Sequence, residues 1–227
     1  MSRSDRVYGV DEAGRGPILG PMTLAVVLLE EAGAIALRGL GVQDSKRFGS
    51  GAKAQDLRAG LSAQIHRHAL AYACELVPVE IIDEHTLRGQ LNRLEQDVAL
   101  RLLRRLEAPQ TATIICDGAN LFRPLQRHFP HLQAVNDGES VHIAVAAASI
   151  LAKHARDAAF AEICGRYHAE FGPLAGGGYA NPATRRFLDA YARTHGGLPP
   201  EARKSWGAAK LPADLSLIHI SEPTRPY

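Results

Sequence analysis

The 227-residue sequence predicts an α/β fold: an open sheet of five strands flanked by helices, with a helical C-terminal part. Three observations lead there. Five short apolar runs, at 7–10, 22–29, 69–76, 111–116 and 131–135, have the length and composition of strands. Helix-period segments lie between and after them, the clearest being Gln90–Leu106, where Leu91, Leu94, Val98, Leu102 and Leu106 recur at spacings of three and four. Finally, apolar runs repeatedly end on acids beside glycine, as strands do where they enter tight turns.

Taken in order, Val7–Val10 runs into Asp11 and Glu12 and then a glycine-bracketed arginine, Gly14–Arg15–Gly16. Met22–Leu29 is nearly continuous in apolar residues, so both its faces should be buried. Glu30–Gly41 reads as a connector. The polar Gln43–Lys46 (QDSK) precedes a helix expected over Ala54–His68. Ala69–Leu76 is β-prone and Pro78 stops it; Glu80–Glu84 reads as a helical turn. The basic residues of Gln90–Leu106 read as a solvated face. Thr111–Cys116 ends in Asp117–Gly118, and His131–Val135 enters the acidic turn Asn136–Ser140. Ser140 is placed to cap a helix running to about Phe171, long enough that a break is expected. Gly172–Gly178 is a loop. Asn181–Pro182 opens a helix that Gly196 and Gly197 stop near His195. After Lys210 periodicity is lost: residues 1–210 are expected to form the domain, and 211–227 resemble translated adapter sequence.

Composition excludes several classes. Hydrophobic content of 46% with 22% charged residues is that of a globular protein with a core of its own. The net charge of +2 is too small to signal a polyanion partner by itself. The three cysteines, Cys74, Cys116 and Cys164, lie far apart in apolar contexts, which predicts reduced thiols and a cytoplasmic protein. The polar start, MSRSDRVYG, is not expected to act as a signal peptide. Val141–Ala152 is too short, and too interrupted by His142 and Ser149, to span a bilayer.

The chemistry is carried by acids. Asp11 with Glu12, Asp117, and Asp137 or Glu139 follow three predicted strands, and groups at neighbouring strand ends of an open sheet converge. Alone, Asp117–Gly118 and Asp137–Gly138 are ordinary turn formers. Together with Asp11 and Glu12 they make an oxygen-rich cluster suited to Mg²⁺ or Mn²⁺. Two such ions about 4 Å apart can drive phosphodiester hydrolysis.

In order along the chain, DEAGRG (11–16), DSK (44–46), DG (117–118), ASILAK (148–153) followed by Arg156–Asp157, and Gly178–Tyr179 ahead of Pro182-Ala183-Thr184 resemble the ribonuclease HII family. The resemblance spans nearly the whole predicted domain. It implies a ribonuclease H-like, mixed five-stranded sheet and a metal-dependent endoribonuclease of RNA–DNA hybrids. It also implies cutting 5′ of single ribonucleotides in duplex DNA, by two-metal-ion hydrolysis that leaves 3′-hydroxyl and 5′-phosphate ends. By position, Asp11, Glu12 and Asp117 would be catalytic metal ligands. Counting back from Ser149–Lys153 lands the fourth acid on Glu139, where members usually carry Asp; Asp137 is the alternative. A Glu there is similar to the sister family, ribonuclease HIII, whereas Arg15 argues for HII. A ribonuclease HIII-like hybrid nuclease without junction activity and a non-cleaving hybrid-binding protein are the rival readings.

For the substrate, the resemblance implies that the backbone of Gly14, Arg15 and Gly16, together with Tyr179, reads the 2′-hydroxyl, the group that marks a ribonucleotide within DNA. Ser45, Lys46 and Lys153 are candidate phosphate contacts. Arg185, Arg186, Arg193, Arg203, Lys204 and Lys210 form a basic C-terminal region suited to duplex contact, with Ser205 as a phosphate donor and Trp206 as a packing anchor. The expected partners are RNA–DNA hybrid and ribonucleotide-containing duplex. A monomer is expected, and the sequence shows no evident motif for a replication-clamp contact.

Overall fold

A computed structural model describes residues 6–42, 49 and 51–206; the expectations for Asp44, Ser45, Lys46, Lys210 and the tail lie outside the described residues. The sheet is built from β1 (Val7–Ala13), β2 (Met22–Leu29), β3 (Ala71–Val77), β4 (Thr113–Asp117) and β5 (Leu132–Val135), in the order β3-β2-β1-β4-β5. β1 pairs antiparallel with β2 and β2 with β3, whereas β1–β4 and β4–β5 are parallel, so the sheet is mixed. All eight residues of β2 are buried, as its unbroken apolar run requires.

The helices are α1 (Glu31–Gly39), α2 (Ala52–His68), α3 (Val79–Leu87), α4 (Leu91–Arg105), α5 (Ala119–Phe122), α6 (Gly138–Val141), α7 (Ile143–Phe171) and α8 (Pro182–His195). One face of the sheet packs on α4 through Leu94, Val98, Leu102 and Leu103. The other packs on the N-terminal half of α7, where Ala144 and Ala146–Ala148 lie close to β1 and β2. The approach is so close that a Cβ on Gly9 would overlap the Ala144 carbonyl. Small residues on both sides therefore let a helix backbone lie directly on a strand. A third core, with Phe160, Tyr167, Phe187 and Leu188, joins the C-terminal half of α7 to α8.

Several boundaries differ from the expectations. β1 continues through Asp11 and Glu12 to Ala13, because those residues keep pairing with β2. The supposed connector after β2 is helix α1; its Gly33 lies where a Cβ would meet the His68 carbonyl oxygen. The turn around Glu80 is the full helix α3. Ser140 is not the N-cap of the long helix: it lies inside α6, which starts from Asp137 in a left-handed conformation (φ 56°). His142 is extended, and from it α7 runs 29 residues without the expected break. Among the described residues no helix is long and apolar enough to cross a membrane. The three cysteines are free thiols, and burial raises Cys74 to about 11 and Cys116 further still.

Candidate active site

The parallel pairing of β1 with β4 ends at Val10 opposite Cys116, so Asp11 and Asp117 stand side by side at the carboxyl ends of adjacent strands. Val135 of β5 lies opposite Asp117, and the turn that follows carries Glu139 into α6. Side-chain alternation sends Asp11 towards α7 and Glu12 towards α4. Asp11 is buried and lies close to Ser149 and Lys153. Burial, then the neighbouring Glu12 charge, hold its carboxyl well above the usual range. Glu12 is pushed up to about 7 by burial and then by Glu95. Asp117 accepts the Gly138 amide at 3.0 Å. Glu139 is buried and takes the Ser149 hydroxyl at 2.6 Å and the Lys153 ammonium at 3.0 Å. Asp137 is exposed.

Among the described residues, no three histidine, cysteine or acid side chains are grouped tightly enough to hold one ion as they stand. Unneutralised carboxylates repel, and Asp117 and Glu139 each lean on another group instead. The donor set nevertheless fits a hard divalent cation. All four candidates are carboxylates, two have proton affinities raised by burial and like charge, and Oε2 of Glu12 is buried with no hydrogen-bond partner.

Next to the acids, Gly14 turns the chain with φ 80° and starts the loop to β2. The Tyr179 ring lies against Gly16, its Cε1 3.4 Å from where a Cβ would be. Tyr179 is held there by its glycine loop: Gly178 accepts the amides of Ile18 and Leu19 at 2.9 and 3.1 Å, and a Cβ on Gly178 would overlap the Leu19 carbonyl. Arg156 braces the same junction, donating to the carbonyls of Gly177 (2.5 Å) and Leu19 (3.4 Å). Glu12, Gly14, Gly16, Lys153 and Tyr179 line one groove of about 990 Å³. Glu12 and the glycine loop thus face a common space.

The family model for ribonuclease HII matches residues 8–209. The chain belongs to the ribonuclease HII family. It is 33% identical over 213 residues to the ribonuclease HII of Thermococcus sibiricus, covering 90% of each chain. It is similar in structure to the ribonuclease H2 of Pyrococcus horikoshii OT3 (TM-score 0.76, 26% identity, 96% of this chain and 100% of that one). The ribonuclease HII crystallised with PCNA from Archaeoglobus fulgidus is also similar (TM-score 0.72, 26% identity, 95% and 98%). Membership of the ribonuclease HII family makes this chain a metal-dependent endoribonuclease of RNA–DNA hybrids.

Within this ribonuclease HII framework, some side chains sit differently from the sequence expectations. Arg203 is wholly buried and bonded to backbone carbonyls, so it cannot reach duplex DNA. The Ser205 hydroxyl and amide both bond Asp83, which leaves no donor for a phosphate. Arg15 points to α4, where it pairs with Glu95 and bonds Asn92 at 2.5 Å. Lys153 contacts Glu139. Trp206 packs as expected and also donates to the Gly16 carbonyl at 3.3 Å.

Glu95 is the residue the sequence reading missed. It is fully buried, its Oε1 has no hydrogen-bond partner, and burial raises it to about 7 against the pull of Arg15 and Arg203. A signal existed: Glu95 lies four residues after Leu91 and three before Val98, on the apolar stripe itself. The α2 helix that follows QDSK is anchored to α7 by Arg58, whose Nε bonds Asp157 at 2.9 Å.

Proposed function

We propose that the protein cuts the RNA strand of RNA–DNA hybrids and also cuts duplex DNA 5′ of a single embedded ribonucleotide, leaving 3′-hydroxyl and 5′-phosphate ends. The observation that carries this reading is the Tyr179 ring packed on Gly16 at the mouth of the groove that Glu12 also lines. A single ribonucleotide differs from its neighbours by one hydroxyl, so an enzyme that selects it needs a rigid polar contact beside the scissile phosphate. Asp11, Glu12, Asp117 and Glu139 are the residues to hold a pair of Mg²⁺ or Mn²⁺ ions. When bound, such ions supply the charge that lowers the pKa of a water and stabilises the leaving oxygen.

The chain's own part is positional. Ser149 and Lys153 orient Glu139, and Lys153 is near enough to the groove to pass to a phosphate once cations take over the carboxylate. The amides around Gly14, Arg15 and Gly16, with Tyr179, engage the 2′-hydroxyl. Ser45 and Lys46 are candidate phosphate contacts from the neighbouring segment. Exposed Arg186, Arg193 and Lys204 suit the duplex away from the cut. The similarity to an enzyme solved with PCNA makes a sliding-clamp contact worth testing by co-elution with PCNA.

The test compares three substrates: a long RNA–DNA hybrid, a DNA duplex with one ribonucleotide, and all-DNA duplex, each with Mg²⁺, Mn²⁺ or EDTA. Metal-dependent cutting of the first two is expected, and none of the third. Cutting of the hybrid alone would overturn the single-ribonucleotide reading in favour of a ribonuclease HIII-like preference.

A further inference from the structure

Arg203 is a cation with no exposed surface and, among the described residues, no carboxylate bonded to it. Its guanidinium is spent on one stretch of backbone nearly two hundred residues earlier. Nε donates to Gly20 O at 2.9 Å, Nη1 to Arg15 O at 2.9 Å and Nη2 to Gly14 O at 2.6 Å. The Trp206 ring lies 5.0 Å from the guanidinium, and its Nε1 donates to Gly16 O. The Arg203 amide also donates to Ile18 O at 2.8 Å. The C-terminal segment thus collects the carbonyls of the Gly14–Gly20 loop from behind.

Peptide geometry then fixes the front. The described backbone has no cis peptide bond, and in a trans peptide the carbonyl of one residue and the amide N–H of the next point in opposite directions. Turning Gly14 O and Arg15 O towards Arg203 therefore turns the N–H groups of Arg15 and Gly16 away from it. These two amides donate to no acceptor among the described residues. Gly14 permits the turn because φ 80° carries no Cβ penalty there. Two successive outward amides beside an aromatic ring form a cradle for an oxygen. A planar fork of five N–H donors suits three carbonyls spread along one loop.

We propose that Arg203 is a positioning residue that sets the Arg15 and Gly16 amides for the ribonucleotide's 2′-hydroxyl, so that selection of ribonucleotides depends on the C-terminal segment. This rests on the reading above, in which that loop meets the 2′-hydroxyl. Arg203 touches no substrate; it acts through the loop.

The probe is a short, labelled DNA duplex with or without one ribonucleotide, titrated in EDTA so that no cutting occurs. The quantity read is the affinity ratio between the two, with thermal melting alongside. In Arg203→Met the ratio should fall about tenfold, as expected for loss of two correctly aimed hydrogen bonds. A purely structural role would lower both affinities together and leave the ratio unchanged. Arg203→Lys, which can reach fewer carbonyls, and Trp206→Phe, which removes the indole donor, should each fall part of the way while melting near the wild-type temperature. If Arg203→Met does not fold, those two variants decide. A wild-type ratio in every folded variant overturns the proposal. A wild-type enzyme with no preference for the ribonucleotide duplex overturns instead the reading on which it rests.

Discussion

Glu139 and Asp137 are two residues apart and have opposite surroundings. Glu139 is buried against Ser149 and Lys153, whereas Asp137 is exposed on a left-handed backbone. A ligand must face the other ligands, so the two substitutions separate cleanly. Glu139→Gln should reduce metal-dependent cleavage by at least about 100-fold, and Asp137→Asn should stay within a few fold of wild type. Initial rates at saturating Mg²⁺ check both, and the reverse pattern would move the fourth ligand to Asp137. Glu95 supports a second expectation. Burial raises it from an ordinary 4.5 to about 7. Between those values the folded chain holds more of this proton than the unfolded chain, so Glu95 makes stability fall as pH rises through that window. His66 and His142, lowered by burial, act in the opposite sense, so the effect is read as a difference. With EDTA present, Glu95→Gln should gain melting temperature relative to wild type at pH about 8 and lose that gain at pH about 5. An equal offset at both pH values would contradict it.

Among the elements, the contact of β1 with α7 is the tightest and puts Ser149 and Lys153 beside Asp11. Gly9→Ala places a methyl group into the Ala144 carbonyl, and neither backbone can yield without displacing the strand or the helix. Overpacking of this kind should cost about 3 kcal/mol, read as a lower urea midpoint at unchanged slope. A midpoint within error of wild type would show that the two elements slide apart freely. Much at this level was legible beforehand. Apolar runs located all five strands, and the acids after them marked the carboxyl ends of β1, β4 and β5, because strand burial and turn formation both leave their mark on composition. Helix α1 was not legible: its two glycines resemble breakers, and the reason for Gly33 lies at His68, far along the chain. The division of Asn136–Phe171 into α6 and α7 was likewise hidden, since nothing local marks His142 as the joint.

At the scale of the whole molecule, the small net charge conceals an uneven distribution. Arg186 and Arg193 are exposed on α8, and Lys204 is exposed beyond it. Duplex affinity should therefore fall steeply with salt, and Arg193→Glu should weaken ribonucleotide and all-DNA duplexes by the same factor. Fluorescence titrations between about 50 and 200 mM salt check this; a selective loss for the ribonucleotide duplex would assign Arg193 to recognition instead. Arg203 shows why charge alone misleads. In the sequence it stands beside Lys204 in a basic run, and only the folded chain, which brings it onto Gly14 and Arg15, separates a structural arginine from a surface one.

The bond from Arg203 to Gly14 also sets an order in time. Synthesis proceeds from the N-terminus, and segments can fold as they emerge. Every acid of the cluster has been made by residue 139, but the loop beside it stays unbraced until residue 203 follows. On the proposed reading, the acids can therefore assemble on the ribosome well before the loop meant for the 2′-hydroxyl is braced, and discrimination would be the last property the nascent chain acquires.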